Sequence, residues 1–203
     1  MRVTYFLSTF LATLAIASPI SSNVNVAEGA DLVTRDTTVL TQEYQELQKV
    51  HPNPEDNQWY WVYQKDRLGA KIQDGDAETL TELEQLQKSL GFEHVGVIVG
   101  QIKVTEKTTK AAGKTTTKHF DAFYYHMTKN KQNVAVAHAP VWKANMVDFT
   151  KSFLQDGGKT NKRGSEKAKT NSKTFFDDPK HKTYSVADNN CNTFAQYVIT
   201  AFR

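Results

Sequence analysis

The sequence predicts a protein of the α+β class, with an antiparallel sheet and helices packed around one core. Apolar residues recur at helical spacing in residues 76–91 and 189–202, whereas residues 94–104 and 119–128 are rich in β-branched and aromatic side chains. The predicted elements follow in the order α, β, α, β, β, β, α, β, α, which is typical of this class. A chain of 203 residues suffices for one domain with a core of its own.

The first 36 residues are predicted to precede the domain. Residues 1–17 combine Arg2 with a short apolar run and end in a small-x-small pattern, which indicates a secretory signal peptide cleaved after Ala17. Residues 18–36 have no helical or strand period, and we interpret them as a linker or a short propeptide. Residues 37–203 then form a single domain. We therefore expect a secreted, extracellular protein, because the apolar run is too short to anchor it in a membrane.

The first half of the domain is predicted to alternate helices with strands. A threonine-capped helix over residues 37–51 is indicated by apolar residues at helical spacing, and the aromatic segment 58–64 is typical of a strand. A leucine stripe between Asp76 and Gly91 predicts a second helix, capped by the aspartate and ended by the glycine. Residues 94–104 carry valine and isoleucine on both faces, which predicts a central strand.

The second half of the domain is predicted to begin with a hairpin. Residues 119–128 form a strand that pairs with the preceding one across a lysine- and threonine-rich tip, and residues 133–140 form a third short strand. Apolar residues at helical spacing predict a helix over residues 141–158. The chain is predicted to end with a strand over residues 183–187 and a helix over residues 189–202.

The net charge of +3 conceals an uneven distribution along the chain. Residues 91–203 carry 18 Lys and Arg against 9 Asp and Glu, whereas the first 90 residues carry 7 against 13. The basic excess lies mainly in residues 101–118 and 155–173, which are rich in small polar residues and lack an apolar period. We predict solvated loops there. The alternative is that these Lys-rich loops bind an anionic partner.

Cys191 is the only cysteine in the chain. Secreted domains commonly pair their cysteines, so a single one excludes an internal disulfide and indicates an intermolecular bridge or a reactive thiol. It lies at the start of the last helix, after Asp188, Asn189 and Asn190, any of which can cap. Backbone N–H groups there stabilise a thiolate and can hold an oxyanion. The helical face that Cys191 shares with Phe194 equally suits a buried structural cysteine.

A thiolate nucleophile needs a general base, which makes the histidines candidates. His94 opens the most apolar strand of the sequence, and His126 lies beside it if the hairpin pairs in register. A structural role on the strand surface is the alternative for each. The sequence therefore gives a feasible pair of Cys191 and His94, with His126 as a neighbour. No comparable signal marks the remaining histidines, which are His51, His119, His138 and His181.

Metal and cofactor sites are not predicted. The chain has one cysteine and no pair of histidines at the spacing of the usual metal motifs, although ligands distant in sequence can converge in space. The Gly-Lys-Thr triplets at residues 113–115 and 158–160 lack the preceding strand and the glycine spacing of a phosphate-binding loop. We therefore expect a protein that uses neither a metal nor a cofactor.

Two stretches resemble the circularly permuted papain-like thiol hydrolases: HVGVIVG at residues 94–100 and YSVADNNCNTFAQYVI at residues 184–199. Within the second stretch, NNCNTFA is similar to the cysteine motif of the PPPDE isopeptidase family. HVGVIVG followed by FYYHMT is similar to the histidine strands of lecithin retinol acyltransferase-like and permuted NlpC-type proteins. The resemblance implies a permuted papain-like (NlpC-type) fold, in which the nucleophile-bearing helix packs against an antiparallel sheet.

The resemblance also implies which residues are catalytic. Cys191 matches the nucleophile, His94 the general base, and His126 the polar residue that orients the base. The expected function is that of a secreted, monomeric thiol hydrolase that cleaves an amide, isopeptide or ester bond of a protein, peptide or acyl substrate, and acyl transfer would use the same chemistry. Two alternatives stay open: a cell-wall peptidoglycan amidase, and a non-enzymatic effector or toxin-like protein that binds through its basic loops.

Overall fold

The computed structural model describes residues 36–75, 78–109 and 113–203. Within these ranges the chain forms four α-helices and a six-stranded mixed sheet, so the predicted α+β class is confirmed. The predicted signal peptide, and the predicted linker as far as residue 35, lie outside the described residues. In the part of the chain that is described, no helix is long and apolar enough to cross a membrane.

Six strands form the sheet: β1 (Thr37–Leu40), β2 (Trp59–Asp66), β3 (His94–Thr109), β4 (Gly113–Lys129), β5 (Ala135–His138) and β6 (Ser152–Thr160). They lie in the order β1-β4-β3-β2-β6, with β5 paired to the end of β4. Every pairing is antiparallel except that of β1 with β4. The sheet is therefore mixed rather than purely antiparallel, and β3 lies at its centre, as its apolar sequence predicts.

The helices cover both faces of the sheet: α1 (Gln42–Val50), α2 (Leu80–Leu90), α3 (Lys162–Thr174) and α4 (Cys191–Ile199). On one face, residues of α3 and α4 share a core with the β3 valines at positions 95, 97 and 99. On the other face, α1 and Trp142 share a core with Ile98 and Ile102 of β3. The alternation of side chains along β3 therefore supplies two separate cores.

Residues 141–158 do not form the predicted helix. A 3₁₀ helix over Ala144–Met146 is followed by β6, which pairs with the whole of β2. The spacing of the apolar residues in this stretch suits a helix or a strand. A strand forms because pairing with β2 satisfies the hydrogen-bonding groups of the β2 backbone. Gly157 lies at the point where the register of the two strands shifts, as is typical of a β-bulge.

The stretch 155–173 is not a loop, so that prediction is wrong. Its first residues complete β6, and the rest form α3, which begins after its N-cap Asn161. The buried residues of α3 are Gly164, Ala168 and Ser172, which recur every four positions. Such small side chains let a helix approach its neighbours but create no apolar period in the sequence, which explains the error.

Residues 101–109 and 113–118 are also not loops, because β3 and β4 continue there as paired strands beyond the core, and the predicted tip at residues 110–112 lies outside the described residues. Threonine favours extended backbone, so the threonine-rich composition suits a strand. Cross-strand ion pairs join Lys103 to Asp121 at 2.7 Å and Lys114 to Glu106 at 2.8 Å. These lysines therefore face acidic partners on the hairpin itself, which weakens the expectation of a basic surface there.

Smaller differences concern the ends of elements. The predicted helix over residues 37–51 divides into β1 and α1, because the cap at Thr41 starts the helix only after that residue. The predicted cap of α2, Asp76, lies outside the described residues, and Thr79 caps the helix. Residues 183–187 make isolated bridges instead of the predicted strand.

Asn190 fixes the start of α4. Its side-chain oxygen accepts hydrogen bonds from the backbone N–H groups of Asn192 and Thr193, at 3.0 and 3.2 Å. Its side-chain amide donates to the carbonyl oxygen of Val186 at 2.7 Å. These bonds satisfy donors of the first turn and hold Cys191 at the first position of the helix.

We expect Asn190→Ala to lower the free energy of unfolding by about 1–2 kcal/mol, because it removes the cap and the donor to Val186. Asn161→Ala is the matched control, since Asn161 is exposed and caps α3 through the single N–H group of Gly164. The control should lose about 1 kcal/mol or less. Urea unfolding followed by circular dichroism measures both values, and equal losses would contradict the greater role of Asn190.

Candidate active site

Cys191 is fully buried at the first position of α4. The helix face predicted from the sequence is the one that packs, since Phe194 and Val198 are also fully buried. The thiol is a weak donor to the backbone carbonyl of Glu93, with 3.9 Å between sulfur and oxygen. The cysteine therefore contacts the residue that immediately precedes His94.

His94 and His126 meet inside the protein. Both side chains are fully buried, and His94 Nε2 lies 3.2 Å from His126 Nδ1. The two rings are nearly perpendicular, at 82°. When both rings are neutral, one of these nitrogens donates a proton and the other accepts it. The pairing of β3 with β4 thus brings together two histidines that lie far apart in sequence.

Gly96 permits this contact. A Cβ atom at this position would lie 2.4 Å from Cε2 of Tyr124 and 2.7 Å from Cβ of His126. Real Cβ atoms do not approach neighbours that closely, so a side chain at position 96 would displace both residues. The ring of Tyr124 also stacks on His126, with 4.4 Å between their centroids. This stacking and the contact with His94 together restrict the orientation of the His126 ring.

Cys191 and His94 approach the start of β3 from different faces of the sheet. Alternation along β3 puts His94 on the face of Ile98, whereas Cys191 packs with Val95 on the other face. Within the described chain, His94 Nδ1 has no hydrogen-bond partner. The structure therefore brings Cys191 to the residue next to His94 without the direct hydrogen bond of a formed Cys/His pair.

Burial keeps both histidines neutral. Desolvation, with a smaller contribution from the charge of His138, lowers the pKa of His94 to about 3. Burial also lowers the pKa of His126 well below its usual value, and the charges of His94 and His138 act in the same direction. A neutral imidazole is the form that accepts a proton from a thiol. The protonation state of the pair therefore suits a general base.

Residues 67–75 contact this site at two places. The N–H groups of Gly69 and Ala70 donate to the carboxylate of Glu93, at 2.9 and 3.1 Å. Further along, Asp74 Oδ2 lies 3.7 Å from His126 Nε2. The segment 67–75 is therefore hydrogen-bonded to the residue that accepts from Cys191 and lies close to one of the two histidines.

A cleft of about 820 Å³ adjoins the buried site. Asp74 and Glu93 line it, although Cys191 does not. Its apolar lining comes from Leu68, Ile72, Leu80, Leu83 and Met146. Leu80 and Met146 are among the most exposed large apolar side chains, at 64% and 57% of their surface. Such a lining suits the apolar part of a ligand.

His138 and Asp74 join the site although no sequence pattern marks them. The ring of His138 stacks on His126 with 4.9 Å between centroids, and its Nδ1 lies 3.7 Å from Asp74 Oδ2. They belong to β5 and to the segment 67–75, so only the folded chain brings them together. The other histidines bond elsewhere: His51 with Asp156, His119 with Thr105, and His181 with the carbonyl oxygen of Phe175.

Comparisons with known proteins find no match for this chain. No protein-family model, no curated protein and no solved structure matches it. The assignment of roles to Cys191, His94 and His126 therefore depends on their motifs and their geometry.

We expect Gly96→Ala to lower the free energy of unfolding by about 1–3 kcal/mol through overpacking, and to displace the His126 ring. Gly157→Ala is the matched control, because its Cβ would lie 2.3 Å from the Trp61 ring on a strand that carries no site residue. Both variants should lose stability, but only Gly96→Ala should change the imidazole NMR signals of His94 and His126. Unchanged signals in Gly96→Ala would contradict the role given to this glycine.

The free energy of unfolding should fall as the pH decreases below about 6.5. The unfolded chain binds a proton at His94 near that pH, whereas the folded chain does so only near pH 3. Because the pKa of His94 is lower in the folded state, its contribution to the free energy of unfolding is complete above the pKa of the unfolded state. Below that pKa the contribution decreases on acidification by about 1.4 kcal/mol per pH unit for each such histidine. Urea unfolding between pH 7 and 5.5, with a metal chelator present, measures this slope. His94→Gln should have a smaller slope, and an equal slope would contradict the assignment.

Proposed function

We propose that the protein is a secreted thiol hydrolase with a permuted papain-like fold. The observation that supports this function is the convergence of Cys191, His94 and His126, all fully buried, at one end of the sheet. Burying two imidazoles costs free energy, and such groups concentrate at functional sites. The first turn of a helix is also the place where a thiolate gains most from the backbone dipoles.

In the proposed mechanism, His94 Nδ1 accepts the proton of the Cys191 thiol. His126 supports this step, because a hydrogen bond from His94 Nε2–H to His126 Nδ1 leaves Nδ1 of His94 as the nitrogen without a proton. The thiolate sulfur then forms a bond to the substrate carbonyl carbon, and the carbonyl electron pair moves to oxygen. The backbone N–H group of Cys191 would stabilise this oxyanion, because the N–H groups of Asn192 and Thr193 donate to the side chain of Asn190.

Collapse of the tetrahedral intermediate completes the acylation. The carbonyl re-forms, the bond to the leaving group breaks, and the protonated His94 donates its proton to that group. Water, activated by the neutral His94, then attacks the thioester and releases the acid and the thiol. Another nucleophile in place of water would give acyl transfer by the same route.

Catalysis requires a conformational change, because the site is closed in the structure. Cys191 and His94 have no exposed surface, and the thiol donates to Glu93. In the proposed open state the segment 67–75 separates from Glu93 and His126, and the cleft extends to the thiol. The thiol must also leave the carbonyl oxygen of Glu93 and turn to within hydrogen-bond distance of His94 Nδ1. Water that enters on opening reduces the desolvation of His94 and raises its pKa from about 3, which makes the imidazole a stronger base.

The cleft indicates the class of substrate. Its apolar side chains would hold an acyl chain or an apolar peptide side chain, while Lys71, Asp74 and Glu93 bring charged groups of both signs to the same surface. The bond cleaved is an amide, isopeptide or ester. A peptidoglycan amidase would use the same three residues and differ only in the substrate.

An interaction role is the second candidate, and the exposed surface of α3 favours it. Its exposed cations are Lys162, Arg163, Lys167, Lys169 and Lys173, and its sequence contains one acid, Glu166. This helix, rather than the ion-paired hairpin of residues 101–118, would bind an anionic partner. Such binding would be weakened by salt and would not depend on Cys191.

The reactivity of the thiol tests the proposed enzyme. We expect iodoacetamide to label wild-type Cys191 near neutral pH faster than it labels free cysteine. We expect the labelling rate to fall at least about tenfold in His94→Asn, because the base that forms the thiolate is lost. Mass spectrometry of quenched samples gives both rates.

His119→Ala is the control for loss of an imidazole from the same strand as His126, and it should label at the wild-type rate. Circular dichroism must show that His94→Asn is folded, since unfolding alone would expose the thiol. Labelling of the wild type no faster than free cysteine, or equal rates in wild type and His94→Asn, would overturn the proposal.

A further inference from the structure

Asp74, His126 and His138 form a second functional arrangement beside the thiol. Their ligand atoms, Asp74 Oδ2, His126 Nε2 and His138 Nδ1, all lie within 4.8 Å of one another. We propose that these three residues bind a divalent transition metal ion, with Zn²⁺ as the best match. Two imidazoles and a carboxylate form a common ligand set for this ion, and a fourth position is left for water or substrate.

Two of the three distances between ligand atoms are close to those of a zinc site. Asp74 Oδ2 lies 3.7 Å from each of the two histidine nitrogens. Tetrahedral Zn²⁺ with bonds of about 2.0–2.1 Å holds its ligand atoms about 3.3 Å apart. Asp74 is 41% exposed and His138 is 20% exposed, so both can adjust. The fully buried His126 is the fixed ligand.

The environment of His126 Nε2 points to a bound ligand. This nitrogen is fully buried, and it makes no hydrogen bond in the part of the chain that the structure describes. A buried polar atom without a partner costs free energy, so its presence needs a reason. Because Asp74 Oδ2 and His138 Nδ1 lie within 4.8 Å of this nitrogen, a metal bound by all three residues would supply the missing partner.

In each of the two histidines, the ring nitrogen that would not bind the metal contacts another side chain, as is usual for metal ligands. His126 Nδ1 lies 3.2 Å from His94 Nε2, and His138 Nε2 lies 2.8 Å from the hydroxyl of Thr128. Outer hydrogen bonds of this kind fix which ring nitrogen carries the proton and so which nitrogen can bind a metal. Here the contact with His94 would leave Nε2 of His126 as the ligand atom, and the contact with Thr128 would leave Nδ1 of His138.

Binding requires one rotation. The rings of His126 and His138 stack at 24°, whereas a metal lies in the plane of each imidazole that binds it. His138 must therefore turn about its Cβ–Cγ bond. His126 cannot turn in the same way, because Tyr124 stacks on it and His94 contacts it.

The metal would also control the thiol, a consequence that rests on the proposed function. A metal on His126 Nε2 places the ring proton on Nδ1, which then donates to His94 Nε2. His94 must in turn carry its own proton on Nδ1, the nitrogen that accepts from Cys191 in the proposed mechanism. The same ion would join the segment 67–75 to β4 and β5 and hold the site closed. Zn²⁺ should therefore inhibit.

Zinc titration of the full chain tests the site. We expect the wild type to bind one Zn²⁺ per chain in competition with a chromogenic chelator, and His138→Ala and Asp74→Asn to weaken binding at least about tenfold. His119→Ala is the matched control, because His119 also contacts a threonine hydroxyl, at 3.2 Å, but lies outside this ligand set. It should bind as the wild type does. No binding by the wild type, or unchanged affinity in folded His138→Ala, would overturn the site.

Two further measurements separate this proposal from the hydrolase. Cys191→Ser should bind Zn²⁺ like the wild type, because sulfur is not a ligand, so the site can stand if the enzyme proposal fails. Saturating Zn²⁺ should slow iodoacetamide labelling of wild-type Cys191 at least about tenfold, but not labelling of His138→Ala. Zinc binding without any effect on wild-type labelling would overturn the link to the thiol.

Discussion

The close pairing of β3 with β4 at Gly96 is the constraint on which the rest of the site depends. Without a side chain at this position, Tyr124 and His126 cross β3 closely enough for His126 to reach His94. The separate pairing of β4 with β5 places His138 beside His126. The missing Cβ atom at Gly96 therefore permits the contact between His94 and His126, to which His138 is added from the other side of β4.

Burial gives the site two opposed properties. It keeps the imidazoles of His94 and His126 uncharged, which a proton acceptor requires, but it also lowers the pKa of His94 so far that the ring is a weak base in the closed state. The segment 67–75 is attached to the site through Glu93 and Asp74, both of which also line the cleft. In the proposed mechanism, movement of this one segment would expose the thiol, rehydrate the base and remove a ligand from the proposed metal site. The two proposals would therefore couple access, basicity and metal binding through shared residues.

The errors of sequence-based prediction have definite physical causes. In α3, the buried positions are Gly164, Ala168 and Ser172, so the packed face has no apolar signal. In residues 101–109 and 113–118, polar threonines and lysines form paired strands because backbone pairing and cross-strand ion pairs do not require apolar side chains. Residues 152–158 have an apolar pattern that suits either a helix or a strand, and they form a strand because they pair with the edge of β2. Each error lies where a neighbouring element, rather than local sequence, decides the conformation.

The sequence by itself determined the α+β class, the central position of β3, the face of α4 that carries Cys191, and the proximity of His94 to His126, because each follows from a local period or from hairpin register. The tertiary structure alone decided that Asp74 and His138 meet at His126, since these residues come from separate elements and share no spacing. It also decided that His94 Nδ1 makes no hydrogen bond to any of the described residues, because that depends on how α4 packs across the end of the sheet. Local periodicity encodes which face of an element is buried, whereas the distances between side chains on different elements arise only when those faces pack together.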